Sequence, residues 1–281
     1  MKSFPPRLHA LLASQSRHAV VIRRGPAKTS CTLLWDRSND EFRIGQWMRG
    51  RIHERNCDLS ADGKYFIYFV LNGKWETEVK GAWTAISRAP YLKALSLYPK
   101  GDCWGGGGLF SEDGSFWLDG GHDEPLSVSD LVRRISREQS GLCFGSSSLG
   151  SYPGAEPLGT YALRLVRDGW TFEGKLESSN HTFGFRKLGQ FGWTLRKIAH
   201  ANFSPNPGKG CYWDEHELVH GEEGMRIRCD HWEWADVDRN RLVWATDGKL
   251  FAGQFGQSGM AGELLLHDFN AMKFTAIKAP Y

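Results

Sequence analysis

The stretch CDLSADGKYFIYFV, residues 57–70, sets Asp62-Gly63 between two apolar runs and follows it with an unbroken aromatic and aliphatic series, Tyr65 to Val70. An Asp-Gly pair accepts positive φ at little cost and so favours a tight hairpin. Extended, the series puts Tyr65, Ile67 and Phe69 on one face and Phe66, Tyr68 and Val70 on the other. A strand apolar on both faces must be covered on both. Helices do this in parallel α/β folds, yet long segments of helical period are almost absent from this chain. A blade stacked between two other blades provides the same cover without helices.

The pattern recurs. LFSEDGSFWLDG (109–120) repeats it at Asp113-Gly114, LRLVRDGWTFEG (163–174) at Asp168-Gly169, and ELVHGEEGMRIRCD (217–230) around Glu223-Gly224. Steps from Asp62 to Asp113, Asp168 and Glu223 are 51, 55 and 55 residues. Residues 235–254 add turn signals at Arg239-Asn240 and Asp247-Gly248. A period of about 40–55 residues with several strands per unit points to a propeller or related β array. The expectation is an all-β chain, 1–281 a single β-propeller domain of five blades with six as the alternative, the strand near His18–Arg23 helping to close the ring.

CDLSADGKYFIYFV resembles the S-P-D-G-K-x-I-x-F/Y core of WD40-like propeller repeats of the PD40, TolB-type family. LFSEDGSFWL and VDRNRLVWATDGKLF resemble eroded copies, and Ala61 stands where the family usually has proline. The chain as a whole is similar to bacterial proteins of this type. The resemblance implies a β-propeller acting as a binding platform and names no ligand.

Composition agrees with strands and tight turns: 33 Gly, 12 Trp, 16 Phe and 8 Tyr in 281 residues. A formal charge of +3 creates no dominating field toward nucleic acid or anionic lipid. The apolar stretch Leu8–Ala13 is too short for a signal peptide, and no run approaches membrane-spanning length. Six scattered cysteines without a C-x-x-C are expected to be reduced thiols in a cytoplasmic protein.

Residues 120–158 break the pattern. Val128, Leu131, Val132 and Ile135 stand at helical spacing, with Ser127 or Ser129 to cap and Gly141 to stop, and 145–159 is rich in Ser, Gly and Pro. The expectation is a helix-plus-loop insertion whose basic side, Arg133, Arg134 and Arg137, faces solvent or a partner.

DEHELVHGEEG (214–224) contains H-E-x-x-H, the zinc-protease signature. On a helix both histidines reach one ion, but on a strand they lie about 13 Å apart. Gly221 and the alternation of Met225-Arg-Ile227-Arg favour a strand carrying His216, Leu218 and His220 on one face. Cys211, His216, His220, Cys229 and His231 match no zinc spacing. Gly105–Gly108 precede no Gly-Lys-Ser/Thr, so they are expected to mark a close approach of backbones rather than an anion cradle. DHWEWADVD (230–238) offers acids and indoles, but Trp232 and Trp234 on one strand face are better explained as core.

The best candidate surface is GQWMRGRIHERNCDL (45–59), where Arg49, Arg51, His53, Glu54 and Arg55 crowd before the best-formed repeat. Forked guanidinium groups suit carboxylates and phosphates, while Glu54 pairing with an arginine would make this only a charged loop. Arg88, Tyr91 and Lys93 add similar chemistry, with Trp83 and Trp104 near in sequence. The expected function is a non-catalytic binding or interaction module using Arg49, Arg51, His53, Glu54, Arg55, Arg88 and Trp104. A protein partner is expected, with a small anionic or sugar ligand as the alternative. No cofactor, metal, catalytic residue or membrane partner is expected, and nucleic acid is not an expected partner. The competing class is a propeller hydrolase or lyase using acids around Asp214–Glu217 or Asp230–Asp238 in an axial pocket.

Overall fold

Consecutive antiparallel meanders make up most of the computed structural model, which describes residues 4–26, 28–142, 158–176, 182–201, 210–221 and 224–281. The first sheet is β1 (Arg7–Leu12), β2 (His18–Arg24), β3 (Thr29–Asp36) and β4 (Glu41–Arg49), in that order. The second holds β5 (Arg51–Ile52), β6 (Asp58–Leu59), β7 (Tyr65–Leu71), β8 (Ala82–Arg88) and β9 (Ala94–Pro99), with β5 and β6 both paired to β7. A two-stranded hairpin follows, β10 (Gly108–Phe110) and β11 (Phe116–Leu118). Helix α1 (Gly159–Arg167) then precedes a third sheet: β12 (Thr171–Lys175), β13 (Thr182–Leu188), β14 (Trp193–Ala201), β15 (Tyr212–His220) and β16 (Arg226–Arg228). The fourth is β17 (Trp234–Asp238), β18 (Arg241–Thr246), β19 (Lys249–Gly256) and β20 (Gly259–Asp268).

The chain is therefore all-β with a propeller-like succession of blade-type sheets, and the blades number four among the described residues. The expected five or six blades are corrected by the hairpin at Asp113-Gly114, which makes only the pair β10–β11. The turn at Asp168-Gly169 also differs from the expectation. It is the end of α1 rather than a hairpin, because Leu163 to Arg167 coil and Gly169 takes φ +88 to leave the helix. Strand β2 lies inside the first sheet, between β1 and β3, and among the described residues pairs with no other strand. Hairpins do stand at Asp62-Gly63, Arg239-Asn240 and Asp247-Gly248. The fourth turn joins β15 to β16, although Glu223 itself lies outside the described residues.

The chain divides into two compact units, residues 1–143 with 271–281, and residues 144–270. In the first, both faces of β7 are covered as its sequence requires. Phe66, Tyr68 and Val70 pack with Leu11, Val20 and Ile22 of the first sheet, while Ile67 packs with Phe110 and Phe116 of the hairpin. Full burial of such side chains stabilises the fold by roughly 1.5–3 kcal/mol each. In the second unit one core joins α1 to the third and fourth sheets, through Tyr161, Trp170, Phe185, Trp193, Leu195 and Trp244.

The helix expected within 120–142 does not form. Leu126 donates to the Leu97 carbonyl, Leu97 to that of Ser127, Phe116 to that of Arg133, and Ile135 to that of Phe116. This extended segment satisfies backbone groups along the edges of β9 and β11, a demand that helical spacing does not register. Only Val132 is buried, while Val128 and Leu131 are exposed. Residues 143–157 of the expected insertion lie outside the described residues. Among those described, no helix is long and apolar enough to cross a membrane, and no disulfide forms.

Candidate functional site

The seven residues singled out from the sequence separate into three places. Arg51, His53, Glu54 and Arg55 enter the interior of the first unit. Strand β5 stops at Ile52, a 3-10 turn spans Glu54–Asn56, and β6 resumes pairing with β7, so the turn bulges from an otherwise continuous edge. Glu54 and Arg55 are 7% and 4% exposed. Arg24, on β2, pairs with Glu54 at 2.9 Å, so one arginine that holds this acid comes from another sheet. Burial pushes the Glu54 carboxyl up, but Arg24 and Arg51 outweigh it and hold it below its ordinary value. Burial, reinforced by Arg51, lowers His53 to about 3. His53 is thus a neutral ring, 5.4 Å from Phe69. Glu54 and Arg55 are thus buried charges, and Arg51 and His53 beside them are half-buried.

Trp104 is exposed on the glycine-rich turn, where its N–H donates to Asp102 Oδ1 at 2.8 Å. The glycines serve close packing as expected. A Cβ on Gly107 would collide with the Asn56 carbonyl and one on Gly106 with the Phe69 ring. Asn56 Nδ2 donates to the Gly106 carbonyl at 2.8 Å, and the Gly107 N–H donates to Thr84 Oγ1 at 2.8 Å.

Arg49 and Arg88 remain on the surface, and residues 271–281 of the same chain lie over them. The guanidinium of Arg49 stands 5.7 Å from the Phe274 ring, whose other neighbour is Trp47 at 5.9 Å. Arg88 and Lys93 each stand 5.2 Å from the Tyr281 ring, and Tyr91 meets it edge-on at 6.1 Å. Tyr281 also accepts from the Arg88 N–H at 3.1 Å, donates to the Lys93 carbonyl at 2.6 Å, and its own carbonyl accepts from Lys93 Nζ.

Gln46 ties these contacts together. Its Oε1 accepts from the N–H groups of Leu92 and Lys93, at 2.7 and 2.9 Å, and its Nε2 donates to the Ile277 carbonyl at 2.7 Å. Beside it, Gly45 is required because a Cβ would strike the Pro90 carbonyl, which accepts from Thr32 Oγ1 at 2.5 Å. Arg23, only 2% exposed and 5.2 Å from the Trp47 ring, donates to the Met272 carbonyl at 3.4 Å. The result is a face formed by β4 and the 88–93 turn, where the side chains of Gln46 and Arg23 donate to backbone carbonyls of residues 272–277. At each end a cation–aromatic slot grips one ring. Sequence reasoning reached Arg49, Arg88, Tyr91 and Lys93. It missed Gln46, Trp47, Phe274 and Tyr281, because nothing local links the end of β4 to a segment more than 200 residues away.

In the second unit, HELVH lies on β15 as expected, with His216, Leu218 and His220 all buried on one face. His216 Nδ1 donates to the Trp232 carbonyl at 3.2 Å, and His220 Nε2 to that of Phe191 at 2.9 Å, so the two rings serve separate contacts. Burial, with Lys197 adding, lowers His216 to about 3. Acids considered for catalysis are each engaged. Asp214 accepts from the Tyr161 hydroxyl at 2.6 Å, and Glu217 pairs with Arg196 at 3.3 Å. Asp230 pairs with Arg228 at 2.9 Å, Asp236 with Lys187 at 2.7 Å, and Asp238 with Arg241 at 3.1 Å. Trp234 is buried and Trp232 stacks on Trp244 at 4.9 Å, so both indoles belong to the core.

No family model matches the chain, and no curated protein matches it. Among solved structures, one similar chain is that of "Kuenenia stuttgartiensis Hydrazine Synthase", at 8% identity and a TM-score of 0.31. The likeness covers 89% of this chain and 77% of that one, and is too shallow to bear on function.

Proposed function

We propose that the chain is a non-catalytic binding module of the WD40-like, PD40 type, which takes a protein partner on the face formed by β4 and the 88–93 turn. The observation that carries this is the geometry around residues 272–281. An irregular stretch is held there through its carbonyls by Gln46 and Arg23, and through its rings by Arg49, Trp47, Arg88 and Lys93. Donors directed at the peptide's backbone carbonyls plus slots for its side chains are what recognition of a peptide requires. The family reading is supported by the Asp-Gly hairpins at 60–65 and 111–115, each followed by a buried aromatic strand. Packing of Cys31, Cys57 and Cys229 as small buried hydrophobes suits a reducing compartment such as the cytoplasm.

The test is cross-linking of the purified chain in extract from its source cells, then reconstitution with the recovered partner, comparing wild type with Arg49→Glu/Arg88→Glu. Reversal of both charges is expected to weaken the partner at least about tenfold, the effect of losing roughly 1.4 kcal/mol. Undiminished binding by the variant would remove this face from consideration.

A further inference from the structure

We propose that residues 271–281 form a displaceable strap, an intrachain occupant of the face formed by β4 and the 88–93 turn, which must lift before an extended partner segment can bind. This rests on the binding-module reading above and adds to it a mode of control and a partner chemistry.

The strap is fastened unlike the rest of the unit. None of its residues belongs to a strand or helix, and among the described residues no backbone-to-backbone hydrogen bond joins it to the face. Its tethers are side-chain bonds to the carbonyls of Met272, Ile277 and Tyr281, the bonds of the Tyr281 hydroxyl to the Arg88 N–H and the Lys93 carbonyl, and the ring contacts of Phe274 and Tyr281. Ala279 is its only buried residue, and Phe274 is 47% exposed. The face beneath is different in kind. β4 is laddered to β3, and Leu92 and Lys93 are pinned by Gln46. Segments with few buried apolar groups and exposed hydrogen bonds open at the lowest free energies in a structure. The strap can therefore lift while the face keeps its shape.

The occupant also defines what else would fit. Phe274 and Tyr281 stand seven residues apart, about 23 Å in an extended chain at about 3.3 Å per residue. The fitting partner is an extended polypeptide with two aromatic side chains at that spacing and small or aliphatic residues between. Its rings would face Arg49 and Trp47 at one end and Arg88 and Lys93 at the other, while its carbonyls accept from Gln46 and Arg23. Competition between strap and partner is then a population shift, set by the strap's own docking equilibrium.

The test uses the full chain with Phe274→Ala/Tyr281→Ala, which releases the strap and leaves every residue of the face beneath in place. The probe is a synthetic peptide of residues 271–281 carrying a fluorophore, titrated against wild type and variant by fluorescence anisotropy. The variant is expected to bind at least about tenfold tighter than wild type, since its face no longer has an internal competitor. Adding Gln46→Ala to the variant is expected to reverse that gain. Hydrogen exchange is expected to show residues 88–94 faster in the variant and slowed again by the peptide. Equal peptide binding by wild type and variant, or binding by neither, overturns the strap. Because no partner is present, that failure leaves the binding module to its own test, and loss of the module would leave peptide binding intact.

Discussion

Gly107 shows how tightly single residues are constrained in the first unit. Its φ is +75, and a Cβ would strike the Asn56 carbonyl, a backbone atom that cannot swing away. Gly114 has a similar φ, +79, with nothing within 4 Å. Gly114→Ala is therefore expected to lose only the left-handed backbone cost of about 1–2 kcal/mol. Gly107→Ala adds a collision and is expected to exceed about 3 kcal/mol. Urea unfolding midpoints of the two variants would separate these terms. Histidines make a second prediction. Burial lowers His53 and His216 to about 3 and His122 to about 4. In the unfolded chain they would titrate near 6.5. Below that pH the unfolded state binds more protons, so stability is full above about 6.5 and falls as pH drops toward 4. The slope is roughly 1.4 kcal/mol per pH unit for each fully neutral ring. The unfolding midpoint at pH 4.5 is expected to lie clearly below that at pH 7. His216→Asn, which keeps a donor toward the Trp232 carbonyl, should make that difference smaller.

Among elements, two identical local signals meet different fates. Asp62-Gly63 turns a hairpin while Asp168-Gly169 ends α1, because a glycine at positive φ serves both and only the preceding residues differ. Val128 to Ile135 carry helical spacing yet stay extended, since the edges of β9 and β11 offer hydrogen bonds that local periodicity does not record. That cover can be tested with Ile135→Pro, which deletes the N–H donating to the Phe116 carbonyl at 2.8 Å. A loss of about 1–3 kcal/mol is expected, with faster hydrogen exchange at Phe116–Leu118. Unchanged exchange there would mean that the segment covers the edge without supporting it. β15 is the opposite case. Gly221 and the alternation after it are local facts, and they identify HELVH as a strand without help from the rest of the chain.

At the scale of the molecule, each compact unit carries cores of its own. Ile67 packs with Phe110 and Phe116 in the first, and Leu195 with Trp170 and Phe185 in the second. Ile67→Ala and Leu195→Ala should each cost about 2–5 kcal/mol through the cavity they open. Each is expected to lower hydrogen-exchange protection first within its own unit, and a uniform loss from either substitution would show that the two unfold as one. The candidate face also belongs to this scale. Arg49 and Arg88 were recognisable as surface cations, whereas Glu54 and Arg55, equally charged in the sequence, turn inward, Glu54 to pair with Arg24. Charge alone does not tell a solvated loop from a buried ion pair, because the compensating residue lies on another sheet.

What the sequence determined by itself is the hairpin grammar. Positive-φ pairs mark where an element ends and the chain turns, and the period-two faces of Tyr65–Val70 demand cover on both sides. These are properties of a few adjacent residues and survive in any context. The tertiary structure alone decided that four blades form rather than five, that 126–135 lies along strand edges, and that residues 271–281 cover the arginine-bearing face. Those outcomes depend on partners far along the chain, as with Gln46 and Ile277, 231 residues apart. Their free energy arises only when distant segments meet, so no local window of residues encodes it.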